Sequence, residues 1–141
     1  RGLGDVYKRQ GQPYETLPAG EAGLREITER LSLGGRRSVV LTGASLAPGR
    51  TGAVCFDART GKTEAVQTAY VAHEFHGTGD VFSSVLTGAL VRGESLSSAA
   101  GEAAAFVRAC AERTAAEDLP MREGVDFEPL LGLLIPGKET V

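Results

Sequence analysis

The chain has 141 residues, 42% of them hydrophobic, with a formal net charge of -3 and an isoelectric point near 5.4. That length supports one domain with a genuine apolar core, while the charge supplies no broad basic surface for nucleic acid. No apolar run reaches the roughly 20 residues needed to span a bilayer, and no secretory leader opens the chain, so a cytoplasmic protein without a membrane partner is expected.

Residues 1–10 carry Arg1, Lys8 and Arg9 with no period that would build an element, and Gly4 to Gln10 reads as a foreign junction. The domain is therefore expected over residues 11–141. From Glu21 to Leu33 the apolar positions Ala22, Leu24, Ile27, Leu31 and Leu33 predict an amphipathic helix, stopped by Gly34-Gly35. Ser38 to Leu41 predicts a buried strand ending at Thr42-Gly43. Pro48-Gly49 breaks the chain before a strand over Gly52 to Asp57, which turns at Arg59-Thr60-Gly61-Lys62 into Thr63 to Val71 as a hairpin. Helix followed by buried strand points to an α/β architecture.

Gly77-Thr78-Gly79-Asp80 then precedes a helix with Val81, Phe82, Val85, Leu86, Ala89 and Leu90 on one stripe. A second helix carries Leu96, Ala99, Ala103, Phe106, Val107 and Cys110, and a short one is expected over Phe127 to Leu134. Cys55 and Cys110 lie far apart in apolar surroundings, which suits neither a disulfide framework nor a metal site and predicts two buried thiols.

Chemistry concentrates at residues 77–80. Backbone N–H groups converge at a helix N-terminus with the positive end of the dipole, glycines admit a phosphate closely, and Thr78 adds a hydroxyl donor. Asp80 in the first turn is placed to accept the proton of a hydroxyl that attacks a γ-phosphate. The plain alternative is a helix cap made by Thr78 or Asp80 after a tight glycine turn. His73 and His76 read as solvated loop histidines, with substrate or phosphate contact by His76 as the alternative. Arg50, in a glycine-flanked loop, is either a phosphate ligand or a solvated arginine.

Residues 77–90 resemble the glycine-rich anion hole and following helix of ribokinase-like kinases. Thr42-Gly43, the loop Pro48 to Gly52, and Arg122-Glu123-Gly124-Val125 are similar, in order and spacing, to the C-terminal half of the pyridoxal and pyridoxamine kinases. The resemblance covers about Gly11 to Gly137. Hydroxymethylpyrimidine kinases carry a similar segment usually followed by cysteine, so Asp80 favours the pyridoxal branch. Gly43 stands where many relatives have serine, and His76 where a proline or small apolar residue is common.

The resemblance implies the C-terminal half of a three-layer α/β/α sandwich with a truncated sheet. It implies Asp80 as proton acceptor, Gly77, Thr78 and Gly79 as the anion hole, and Thr42, Gly43 and Arg50 near the nucleotide. ATP and Mg2+ are the expected cofactors, a B6 vitamer the substrate, and a homodimer one expected form of the parent enzyme. The pyridoxal pocket belongs to the missing half, so the isolated chain is expected to fall short of turnover. The rival readings are a hydroxymethylpyrimidine or sugar kinase, and a non-catalytic nucleotide-binding fragment.

Overall fold

The structure, a computed structural model, describes residues 20–71, 75–117 and 124–135. Its elements run α1 (Gly20–Leu31), β1 (Val39–Thr42), β2 (Arg50–Asp57), β3 (Lys62–Ala69), α2 (Thr78–Val91), α3 (Leu96–Ala116) and a 3-10 helix (Glu128–Leu134). None of the described helices is long and apolar enough to cross a membrane.

The sheet has the order β1-β2-β3 and both pairs are antiparallel. Alternation along the strands sorts their side chains onto two faces. Leu41 and Val39 lie opposite Val54 and Phe56 in the register, and Leu41 and Val39 pack with Leu24, Ile27 and Leu31 of α1. On the other face Val40, Ala53, Cys55 and Val66 pack under Phe82 and Val85 of α2 and Ala100, Ala103 and Ala104 of α3. The result is the expected three layers, helix on sheet on helices.

Helices α1 and α2 each stop for a visible reason. Beyond α1, Leu33 turns into the left-handed region at φ 56, so the apolar residue counted into the stripe leaves the core and is 54% exposed. The helix α2 ends in a Schellman motif, with Glu94 N–H returning to Ala89 O at 3.1 Å and Gly93 N–H to Leu90 O at 3.0 Å. Ser95 then caps α3 by accepting Ser98 N–H at 3.2 Å. That helix runs to Ala116, well past the Cys110 at which the apolar stripe ends.

The hairpin turn is set by Asp57. Its Oδ1 accepts the N–H of Arg59 at 2.9 Å, and its backbone O accepts Gly61 N–H at 2.7 Å. The hydrogen bond from the Arg59 backbone holds the Asp57 carboxyl below the usual carboxylate range, against some desolvation, with the Arg59 guanidinium adding to the effect. Both cysteines are free and buried, and burial pushes each thiol up to about 11.

The last segment is strapped to the helices. Asp126 N–H donates to Thr114 Oγ1 at 2.9 Å, Arg113 Nε donates to Asp126 Oδ2 at 2.9 Å, and Val125 N–H donates to His76 O at 3.1 Å. Val125 itself is buried in the core with Phe82 and Phe106. The terminal helix is 3-10 rather than α, with Pro129 near its start and no buried residue, in keeping with a short surface turn.

Candidate active site

Gly77 is the N-cap of α2 and has φ 84, a left-handed conformation in which a side chain would cost about 1–2 kcal/mol. No side chain caps this helix. The Thr78 hydroxyl turns away, donating to Phe75 O at 3.4 Å, and Val81 N–H is bonded back to Gly77 O at 3.0 Å. The N–H groups ahead of Val81 precede the first intrahelical acceptor, so α2 presents an uncapped positive end. The helix-cap alternative for Thr78 or Asp80 is thereby excluded.

A Cβ built on Gly79 would meet no atom within 4 Å. The packing of the chain leaves this space open, and the open side is where an anion would approach. The turn is held from behind by the bond from Val125 to His76, and Gly124 sits so close that a Cβ there would lie 3.1 Å from His76 O.

The turn forms a wall between two clefts. The first, about 530 Å³, gathers Thr42 and Gly43 from the end of β1, Thr51 and Gly52 from β2, and Thr78 and Gly79 from the turn. Tyr70, Val107 and Arg108 extend it along β3 and α3. The second, about 490 Å³, takes Gly77 and Asp80 from the same turn and is lined by Val81, Val85, Phe127 and Leu131. His76 borders both. Asp80 is exposed at the mouth.

Thr42, Gly43, Thr78 and Gly79 are thus brought to one cleft, and Gly77 and Asp80 face its neighbour across a single turn of helix. Arg50 is not brought to them. It opens β2 instead of riding a loop, its guanidinium donates to Gln67 O at 2.9 Å, and it lines neither cleft. The arginine that does line the first cleft is Arg108, 3.6 Å from Glu112. Nothing in its helical stripe marks it, because only the docking of α3 beside β3 brings it to the edge of the cleft. His73, Arg122 and Glu123 lie outside the described residues.

Among the described residues no three His, Cys, Asp or Glu side chains gather into a group that could hold a metal ion. The turn itself fits phosphate oxygens, through backbone donors and one open glycine, and not a cation.

Solved structures with this architecture are kinases. A "putative phosphomethylpyrimidine kinase" from Bacteroides thetaiotaomicron superposes with a TM-score of 0.84 at 27% identity, over 97% of this chain and 47% of that one. Its orthorhombic form with pyridoxal gives 0.82 at 28%, over 94% and 46%. Pyridoxal kinase from Lactobacillus plantarum shares the fold at a TM-score of 0.74 and 24% identity, over 92% and 46%. The chain spans about half the length of these ribokinase-like kinases. No curated protein matches it. The family model for phosphomethylpyrimidine kinase matches residues 15–124, the greater part of the sequence and all of β1 through α3, and on that match the chain belongs to the phosphomethylpyrimidine kinase family.

Proposed function

We propose that the chain is the nucleotide-binding half of a kinase that transfers the γ-phosphoryl group of ATP to the hydroxymethyl group of a B6 vitamer: pyridoxal, pyridoxamine or pyridoxine. The observation that carries the reading is the uncapped α2 terminus standing between two clefts, with Thr78 and Gly79 on one side and Asp80 on the other.

In this reading ATP lies in the first cleft with its phosphates running past Thr42 and Gly43 to the turn, and the alcohol enters from the Asp80 side. The hydroxymethyl oxygen attacks the γ-phosphorus, the bond from that phosphorus to the β,γ-bridging oxygen breaks, and ADP leaves. Asp80 takes the proton of the attacking hydroxyl. An aspartate beside a helix N-terminus is a weak base, which suffices because a loose transition state releases that proton late. The amides of the turn stabilise charge on the transferring group, which is the larger effect. Mg2+ bound with ATP would supply charge neutralisation for the phosphoryl oxygens, and no cluster of His, Cys, Asp or Glu among the described residues would hold it.

Asp80, in place of the cysteine usual in hydroxymethylpyrimidine kinases, supports the B6 branch. So does the 28% identical relative crystallised with pyridoxal. A hydroxymethylpyrimidine kinase is the second reading, favoured by the family match. The test is ATP-dependent phosphorylation of the three vitamers and of hydroxymethylpyrimidine by the enzyme that carries this chain, beside its Asp80→Asn form. Turnover of a vitamer that drops about 10²–10⁴-fold in the variant supports the reading. Turnover of hydroxymethylpyrimidine alone overturns it in favour of the second.

A further inference from the structure

The loop after β1, which carries Gly43 into the first cleft, is fastened by one side chain from the far strand of the sheet. Gln67 on β3 lies opposite Gly52 in the β2–β3 register. Its amide passes across Gly52 to the loop, where Nε2 donates to Ala44 O at 2.9 Å and Oε1 accepts Leu46 N–H at 3.1 Å. Gly52 O accepts Ala44 N–H at 3.1 Å beside it. A Cβ on Gly52 would lie 2.9 Å from Gln67 Nε2, so the glycine keeps the path open.

The geometry points to Gln67 as a positioning residue for the nucleotide side of the site: it fixes residues 43–46 from behind the sheet, so that Thr42 and Gly43 stand across the first cleft from Thr78 and Gly79. This rests on the reading of that cleft as the nucleotide side. Gln67 acts through the loop because it lines neither cleft itself. The alternation of the strands explains why. Thr51 and Thr68 are partners on the cleft face, and at the next pair Gly52 borders the cleft through its backbone alone while the Gln67 side chain points to the opposite face.

Besides Gln67, the loop is held by the bond from Ala44 N–H to Gly52 O and by two local bonds onto Ala47 O, from Ser45 Oγ at 3.3 Å and Arg50 N–H at 3.1 Å. Gly43, Ser45 and Ala47 are exposed and only Ala44 is buried. An amide suits the task, since it offers a donor and an acceptor at once to a carbonyl and an N–H two residues apart. Methionine has the length without either group. Glutamate keeps the acceptor for Leu46 N–H, yet sets a second oxygen against Ala44 O.

The experiment compares Gln67→Met and Gln67→Glu with the unaltered enzyme that carries this chain, reading KM for ATP and for the alcohol, kcat, and amide hydrogen exchange at Ala44 and Leu46. The expected result is faster exchange at both amides and a KM for ATP raised about tenfold, the loss of two ordinary hydrogen bonds. KM for the alcohol and the exchange of β2 and β3 core amides stay as they were, and glutamate does not rescue. Faster exchange with an unchanged KM for ATP overturns the proposal, and so does an equal loss for both substrates with a falling thermal midpoint. If the unaltered enzyme binds no ATP, the nucleotide reading fails and takes the proposal with it, while exchange at Leu46 still reports whether the clamp exists.

Discussion

Gly52 and Gln67 face each other across the β2–β3 ladder with no room for a side chain on the glycine: a Cβ there would lie 1.9 Å from Val66 O. The obstacle is backbone, which cannot swing aside as the end of a flexible side chain would. Gly52→Ala is expected to lower stability by about 1–3 kcal/mol, the usual cost of overpacking. It should also release the β1–β2 loop. Urea denaturation reads the first effect and amide exchange at Leu46 the second.

The two glycines of the turn should separate strain from ligand space. Gly77→Ala forces a Cβ into a left-handed conformation and is expected to cost about 1–2 kcal/mol of folding stability. Gly79→Ala meets open space and exchanges a poor helix former for the best one, so stability should hold or rise by up to about 1 kcal/mol. Its methyl group nevertheless fills the approach to the helix end, and affinity for ATP should fall. Thermal melts and a nucleotide titration on the same pair of variants check both statements.

The buried thiols give a pH dependence with a definite sign. Burial raises both Cys55 and Cys110 from the ordinary 9.0 to about 11, with Glu64 adding for Cys55 and Asp126 for Cys110. The folded state then holds its thiol protons where the unfolded chain gives them up. That contribution to stability is fully present below pH 9 and is lost as the pH rises through about 11. Denaturation curves between pH 8 and pH 11 should show the decline, and replacing both cysteines with alanine should remove it. At pH 8 a thiol reagent should label the native protein far more slowly than the unfolded chain.

The strap from α3 to the 3-10 helix depends on one hydroxyl. Thr114, 1% exposed, donates to Cys110 O at 2.7 Å and accepts Asp126 N–H. Thr114→Val keeps the shape and leaves that N–H without its acceptor, which is expected to cost about 1–3 kcal/mol. Since Val125 holds His76, amide exchange at Val125 and at Gly77 should quicken together in this variant.

The sequence is most legible where one segment decides the outcome alone. Phe82, Val85 and Ala89 mark α2 by their spacing, and Arg59 to Lys62 marks the hairpin by its turn residues, so both elements appear where expected. Residues 77–80 are contiguous, and their convergence at a helix end follows from local geometry. Gln67 is hidden for the opposite reason. A polar residue in a half-buried strand reads as a solvent-facing position, and its partners Ala44 and Leu46 offer only backbone atoms, which carry no signature. Arg108 is hidden because only the placement of α3 brings it to the cleft. The limits of the stripe misled at Leu33, where Gly34 and Gly35 end the helix early, and at Arg50, where the strand begins before its first apolar residue.

The small residues of α3 have a further consequence. One wall of the first cleft, with Thr42 and Gly43, is fastened to the sheet, and the other, with Thr78 and Gly79, belongs to the helical layer. What separates those layers is the contact of Ala100, Ala103 and Ala104 with Ala53 and Cys55, with Gly101 set so that a Cβ would be 4.0 Å from Val66 Cγ1. These methyl groups act as a spacer of fixed gauge. A larger residue at Ala100 or Ala103, neither of which lines the cleft, would work as a wedge, jacking the two walls apart and resetting the width of the cleft from outside its lining.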